Sequence, residues 1–253
     1  MHVDAQGDGP DLVLVHGWAM HGGIFAPLTR ELRRGFCLHV VDLPGHGHSR
    51  DDSGTLDPAA CASRLIERLP RATWLGWSLG GLVGLRAALD HPGQVRGIVE
   101  MASSPRFVAA ADWAHGMPLE VFAQFDAGLR TDYRATIERF LALEAFGSDD
   151  AKAELRELRA HVFERGEPVV TALEQGMQIL ETTDLRACLR GLAMPNLWIA
   201  GRRDRLVSAA AMRWAAQQNP YGRFLEFSSG HAPFIGHAAE VAAAIGAFVE
   251  ALP

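Results

Sequence analysis

Short apolar runs alternate with stretches of helical spacing along most of this chain, and that alternation narrows the folds open to it. Segments 11–15, 36–41, 72–75, 95–101, 196–201 and 223–227 are short and mainly apolar, with many β-branched or aromatic residues. They read as strands, most of them covered on both faces as in the interior of a parallel sheet. Segments 25–32, 79–89, 209–217 and 238–251 carry helical spacing. Asp57-Pro58 adds a helix start, an N-cap followed by proline in the first turn, for a helix running to about Leu69. Strand–helix–strand crossovers set strands parallel and helices on both faces. The expected class is α/β with a mostly parallel central sheet, edged by a short strand at 2–6.

The alternation fails in one region. From about Phe107 to Arg190 strand signals vanish and helical pairs take over, among them Leu119/Phe122, Ile137/Phe140, Leu155/Leu158 and Leu173/Met177. Residues 107–190 are expected to form a helical lid inserted into a core made of 1–106 and 191–253.

Gly76-Trp77-Ser78-Leu79-Gly80 is a G-x-S-x-G elbow between a strand and a helix. A serine on so sharp a turn has strained dihedrals, so the residues two before and two after it must be small. The turn lifts the hydroxyl above the sheet and aims a helix N-terminus at any anion forming there. A nucleophilic serine needs a base, and the base needs an acid to orient it. Both belong on loops at the carboxyl ends of strands, and in the arrangement that carries such an elbow the chain order is serine, acid, histidine. Asp204, after 196–201, and His231, after 223–227, satisfy that order. Among the 11 histidines His237 is the nearest rival, standing further from its strand, while His91 and His161 look solvated. The rival reading of Asp204 is a loop aspartate paired with Arg202, Arg203 or Arg205, and Asp184 is a remote alternative acid. Two N–H donors must then hold the oxyanion. Leu79 supplies one. Trp18, in the loop His16-Gly17-Trp18-Ala19, supplies the other, unless its side chain only packs.

The 253 residues give room for one α/β domain with an insertion. A formal net charge of −6 argues against a nucleic-acid partner. No apolar run reaches the roughly 18 residues that span a bilayer, and the first residues lack the basic and apolar regions of a signal peptide. A cytoplasmic monomer that does not engage a membrane is expected. Cys37, Cys61 and Cys188 are scattered, with no C-x-x-C pair. That pattern argues against disulfides and structural zinc and fits a reducing compartment. Serine chemistry of this kind requires neither metal nor cofactor.

His16-Gly17, Asp42-x-Pro44-Gly45-x-Gly47-x-Ser49 and the elbow together resemble the α/β-hydrolase superfamily. Finer stretches are similar to one of its families, the esterases that act on the methyl ester of pimeloyl-acyl-carrier protein. They include His16-Gly17-Trp18, Trp74-Leu75-Gly76-Trp77-Ser78-Leu79-Gly80-Gly81, Ala102-Ser103-Ser104-Pro105, Glu138-Arg139-Phe140-Leu141-Ala142-Leu143 and His231-Ala232-Pro233-Phe234. The resemblance implies release of methanol and pimeloyl-acyl-carrier protein in biotin biosynthesis, with Ser78 as nucleophile, Asp204 as acid and His231 as base. It implies that Trp18 and Leu79 flank the substrate carbonyl, and that Phe140, Leu141, Ala142, Leu143 and Glu144 line the acyl chain. It also implies that Arg139, Lys152, Arg156 and Arg159 contact the carrier protein. Lys152 departs from the family's arginine, and Ala135 stands where another arginine is expected.

Lys152, Arg156 and Arg159 are spaced to share one helical face. Such a face suits an acidic carrier or its phosphate, although Asp149, Glu154 and Glu157 are near enough to neutralise it. A general carboxylesterase or lipase for small free esters would keep the same catalytic residues and differ only in the lid. A binding protein on this fold would have lost part of the catalytic set, and the elbow serine excludes dehalogenase chemistry, which needs a carboxylate there.

Overall fold

The computed structural model describes residues 1–253. Its strands are β1 (His2–Gln6), β2 (Asp11–Val15), β3 (Cys37–Asp42), β4 (Ala72–Trp77), β5 (Val95–Met101), β6 (Asn196–Gly201) and β7 (Gly222–Phe227). They form one sheet in the order β1-β3-β2-β4-β5-β6-β7. Every neighbouring pair is parallel except β1, which runs antiparallel to β3 at the edge. The interior strands β4 and β6 are buried at every residue, whereas the edge strand β7 alternates between half-buried and exposed until its last residue. That contrast is why the interior strands are continuously apolar in sequence and β7 is not.

The helices are α1 (Ala26–Leu32), α2 (Pro58–Ile66), α3 (Leu79–Asp90), α4 (Leu119–Ala145), α5 (Ala151–Val162), α6 (Val170–Thr182), α7 (Ala209–Gln217), α8 (Pro233–Gly236) and α9 (Ala238–Glu250). Asp57 caps α2 by accepting from the Ala60 N–H, and Ser208 caps α7 by accepting from the Ala211 N–H. Three residues of β5 fix which helix lies on which face. A Cβ at Gly97 would touch Phe248 and Leu252 at the end of α9, whereas Ile98 and Glu100 face Gly84 of α3. Successive strand residues point to opposite faces, so α3 and α9 cover opposite sides of the sheet. Chain order reverses at β2, which lies between β3 and β4. The crevice at such a reversal opens at the carboxyl ends of the strands.

Between β5 and β6 the chain leaves the sheet for α4, α5 and α6, and α4 packs against both of the others. Buried residues of this segment, such as Phe140 and Leu173, belong to the same apolar cluster as Trp77 of the sheet. Three departures from the sequence reading stand out. First, α4 is broken at Asp132 (φ −153°, ψ 91°), whose carboxylate accepts from the Ala135 N–H at 3.0 Å and caps the second half. Apolar spacing continues across the break and hides it. Second, two isolated bridges, Val108 with Met117 and Ala110 with Trp113, precede α4 where only helix was expected. Third, α2 ends at Ile66, and residues 67–69 continue as a hydrogen-bonded turn. No helix is long and apolar enough to cross a membrane.

Candidate active site

Ser78 follows β4 and caps α3 at φ 55°, ψ −122°. A non-glycine residue held there stores on the order of 1–3 kcal/mol of strain. Two hydrogen bonds hold it, from its N–H to the Met101 carbonyl at 3.0 Å and from the Ser103 hydroxyl to its own carbonyl at 2.8 Å. The glycines around it are required by close approach. A Cβ at Gly76 would stand 2.4 Å from the Gly80 carbonyl oxygen, one at Gly80 2.2 Å from that of Val15, and one at Gly81 2.1 Å from Ser103 Oγ. The other non-glycine residues at positive φ are Ala19 and Ala102, which follow β2 and β5. Backbone strain is thus gathered at the carboxyl ends of three adjacent strands.

Asp204 and His231 leave the neighbouring strands β6 and β7. Asp204 Oδ1 accepts from the N–H groups of Leu206 (2.7 Å) and Val207 (3.0 Å), and Oδ2 lies 2.7 Å from His231 Nδ1. Both side chains are fully buried. A carboxylate oxygen can only accept, so Nδ1 carries the proton and Nε2 is left bare. Nε2 is buried with no hydrogen-bond partner. The His231 carbonyl accepts from the Trp77 indole N–H at 2.9 Å, which ties the histidine to the residue directly before Ser78. No hydrogen bond joins Ser78 Oγ to Nε2. Such contacts are often long in the absence of substrate and tighten when it is present.

The rival assignments lie elsewhere. Arg202 pairs with Glu226, Arg203 with Asp149, and Arg205 lies over the Phe146 ring, so none of them holds Asp204. His237 faces Ser228 and Glu240, and Asp184 pairs with Arg106 and Arg186. His91 contacts Ser63, and His161, read as solvated, is half-buried between Glu157 and Glu164.

Two N–H groups are free beside the elbow. Leu79 opens α3, so no earlier helical turn can accept from it. The Trp18 N–H donates to no protein acceptor. The loop holding Trp18 is fixed by His16, whose Nδ1–H donates to the Gly17 carbonyl and whose Nε2 accepts from the Leu43 N–H. Burial is the main cause that takes the His16 pKa down to about 3, which keeps the ring neutral for that pair of bonds. The Trp18 indole also packs: its N–H donates to the Leu173 carbonyl of α6 at 2.9 Å, and its ring meets Phe140 edge-on.

Ser78 borders a cavity of about 20 Å³ lined by Phe107, Met117, Phe122, Phe125, Phe140, Met177, Leu180 and Leu206. That space holds about one water, so an acyl chain must displace these flexible apolar walls. Only Phe140 of the expected 140–144 run reaches it. Leu141 is buried elsewhere, Ala142 is exposed and Leu143 is half-buried. Each helical residue turns about 100° from the last, so five in a row cannot share one wall. A larger cleft of about 390 Å³ between α5 and α8 is polar and holds none of Ser78, Asp204 and His231.

Sequence reasoning missed a set of buried acids. Glu144, expected beside the substrate, instead lies near Glu154 and Asp204, and its backbone carbonyl accepts from the His231 N–H at 3.0 Å. Glu144 Oε2, Glu154 Oε1 and both oxygens of Glu100 are buried without partners. Burial pushes Glu144 and Glu100 well above the carboxylate range and Glu154 up to about 8. The signal for Glu154 was present in the sequence, because it takes a position on the apolar stripe with Leu158 and Val162.

The outer face of α5 is less neutralised than its sequence suggests. Asp149 is taken by Arg203, Glu154 points inward and Glu157 faces His161. Arg159 pairs with Glu138, while Lys152, Arg156 and the neighbouring Arg139 are exposed and enter no ion pair.

A family model described as the alpha/beta hydrolase family matches residues 12–244. The chain is 52% identical over 254 residues to the pimeloyl-[acyl-carrier protein] methyl ester esterase of Xanthomonas oryzae pv. oryzae, covering 100% of both chains. It is 53% identical over 253 residues to the protein of that name from Stenotrophomonas maltophilia, covering 100% of this chain and 97% of the relative. Among solved structures, an esterase from Exiguobacterium antarcticum matches with a TM-score of 0.89 at 20% identity over 99% of this chain and 95% of its own. An enol-lactonase from Burkholderia xenovorans matches at 0.85 and 21%, over 98% and 96%. Structural likeness at such low identity speaks for the fold.

Proposed function

The chain belongs to the alpha/beta hydrolase family, and on that premise we propose that it is a serine carboxylesterase. Its reaction converts the methyl ester of pimeloyl-acyl-carrier protein to pimeloyl-acyl-carrier protein and methanol, a step of biotin synthesis. The observation that carries the chemistry is the buried Asp204–His231 pair, with a bare Nε2 tethered through Trp77 to a strained serine. The substrate follows from relatives that share half of their residues along the whole chain.

Ser78 Oγ attacks the ester carbonyl as His231 Nε2 takes its proton. The N–H groups of Leu79 and Trp18 receive the oxyanion, a contribution worth roughly 3–4 kcal/mol per donor in comparable sites. His231 returns the proton to the departing methanol, and water then attacks the acyl-enzyme by the same route. The inserted helices act as a lid whose apolar inner wall holds the methylene chain. Lys152, Arg156 and Arg139 meet the acidic carrier that bears it.

The test compares carrier-borne pimeloyl methyl ester with a free methyl ester of similar length. A higher kcat/KM on the carrier-borne form supports the proposal, and equal values would make the enzyme a general carboxylesterase. The small cavity, apolar apart from Ser78, is the observation that favours that second reading. Rescue of a biotin-requiring strain lacking the esterase, with Ser78→Ala as control, tests the role in the cell.

A further inference from the structure

We propose that Asp11, Cys37 and His39 bind one zinc ion at the end of the sheet opposite Ser78. Asp11 opens β2 and Cys37 opens β3, and the two are direct partners across that parallel pair. His39 lies two residues beyond Cys37, so all three side chains rise from one face. His39 Nε2 is 2.7 Å from Asp11 Oδ1 and 3.8 Å from Cys37 Sγ, and the three ligand atoms lie within 4.8 Å of one another. A tetrahedral zinc with Zn–S of about 2.3 Å and Zn–N of about 2.0 Å has an S···N edge of roughly 3.5 Å. The strands therefore already hold the sulfur and nitrogen near the spacing zinc needs.

The surroundings favour a cation. Burial first, and then the negative charge of Asp11 and Asp8, holds the Cys37 thiol above its ordinary value, and a bound cation would offset that charge. Ala5 of β1 pairs with His39 and presents only a methyl group beside it. The side chains of Asp11 and His39 are 31% and 10% exposed, which leaves an ion a way in. Thiolate with imidazole and carboxylate selects zinc over magnesium or calcium, and three protein ligands leave the fourth position to water. Binding forms Zn–S, Zn–N and Zn–O bonds and releases the Cys37 thiol proton to solvent. The His39 proton moves to Nδ1, so the ring stays neutral. No other group of His, Cys, Asp or Glu side chains gathers its ligand atoms this closely. The missing C-x-x-C pair gave no hint of such a site, because two of its ligands meet only through strand register.

The test titrates the purified full chain with Co²⁺ as a visible stand-in, then displaces it with Zn²⁺. The expected result is one Co²⁺ per chain with a thiolate-to-cobalt charge-transfer band, loss of that band on adding Zn²⁺, and a higher melting temperature with Zn²⁺. Cys37→Ser should abolish the band and weaken Zn²⁺ by more than the roughly 10–100-fold that an outer-shell change costs. His39→Ala should do the same, and Cys188→Ser should change neither reading. A band that is absent from the wild type, survives Cys37→Ser or disappears in Cys188→Ser would overturn the proposal. Equal Zn²⁺ affinity of the wild type and a folded Cys37→Ser/His39→Ala variant would also overturn it. Circular dichroism establishes that each variant is folded.

Discussion

The carboxyl edge of the sheet and the inserted helices both reach Ser78, but they hold their atoms by different means. At the sheet edge main-chain atoms take part in most of the contacts. Added methyl groups at Gly76, Gly80 and Gly81 would fall within 2.4 Å of other atoms, and Asp204 is fixed by two main-chain N–H groups as well as by His231. Around the cavity the contacts are side chain to side chain, made by phenylalanine, methionine and leucine. The first kind of contact sets an atom to a fraction of an ångström, and the second sets only a volume and a polarity. On the proposed mechanism, chemistry resides in the sheet edge and the choice of substrate in the helices.

That division can be broken by experiment. The largest effect belongs to the sheet edge: Ser78→Ala is expected to lower kcat by about 10⁴–10⁶-fold with the fold intact, read by ester turnover and by loss of fluorophosphonate labelling. Near-normal turnover in that variant would end the proposed mechanism. Next comes the cavity wall, where Phe140→Ala should lower kcat/KM for a medium-chain ester by roughly 10–100-fold, with much less change for a methyl acetate-sized substrate. Equal losses on both would place Phe140 with the catalytic apparatus instead.

Smaller still is the outer face of α5. Reversing charge at Lys152 and Arg156 should cost about 3–10-fold in kcat/KM on a carrier-borne ester at low salt, chiefly through association. The free ester should be unaffected, and the deficit should shrink as salt rises. The smallest effect concerns stability. Glu154 is pushed up to about 8 when folded, against an ordinary value of 4.5. Its contribution is complete below the unfolded value and is lost as pH rises through the folded one. The melting temperature should therefore fall between about pH 5 and pH 9. Glu154→Gln should narrow that fall, by roughly 2–4 °C for each kcal/mol of linkage removed in a domain of this size. An unchanged pH slope would mean that Glu154 is not a buried acid.

The same division explains what could be read beforehand. The elbow was legible because strain and close approach demand glycine at fixed offsets, a demand that survives in one dimension. Asp204 and His231 were legible because each follows a strand signal, in the order expected after such an elbow. The break at Asp132 was not, since its cap acts locally while apolar spacing runs on through it. Nor was the cavity wall, since which member of 140–144 faces inward depends on how α4 is rotated. Glu100 was hidden for a further reason: a lone acid in an apolar strand carries no sign of whether it is paired. The trio at Asp11 lay out of reach because parallel pairing, which no local pattern encodes, is what unites it.

Among the hydrogen bonds that link the two regions is the one from the Trp18 indole to the Leu173 carbonyl. Trp18 is almost fully buried, so an outward swing of α6 must leave that N–H without a partner, at a cost of about 1–3 kcal/mol. The same swing removes a support from the loop that carries the Trp18 main-chain N–H, which has no protein acceptor. On the proposed mechanism such a swing would loosen the oxyanion site as it admitted substrate, and the site would be complete again only when α6 packs back against Trp18.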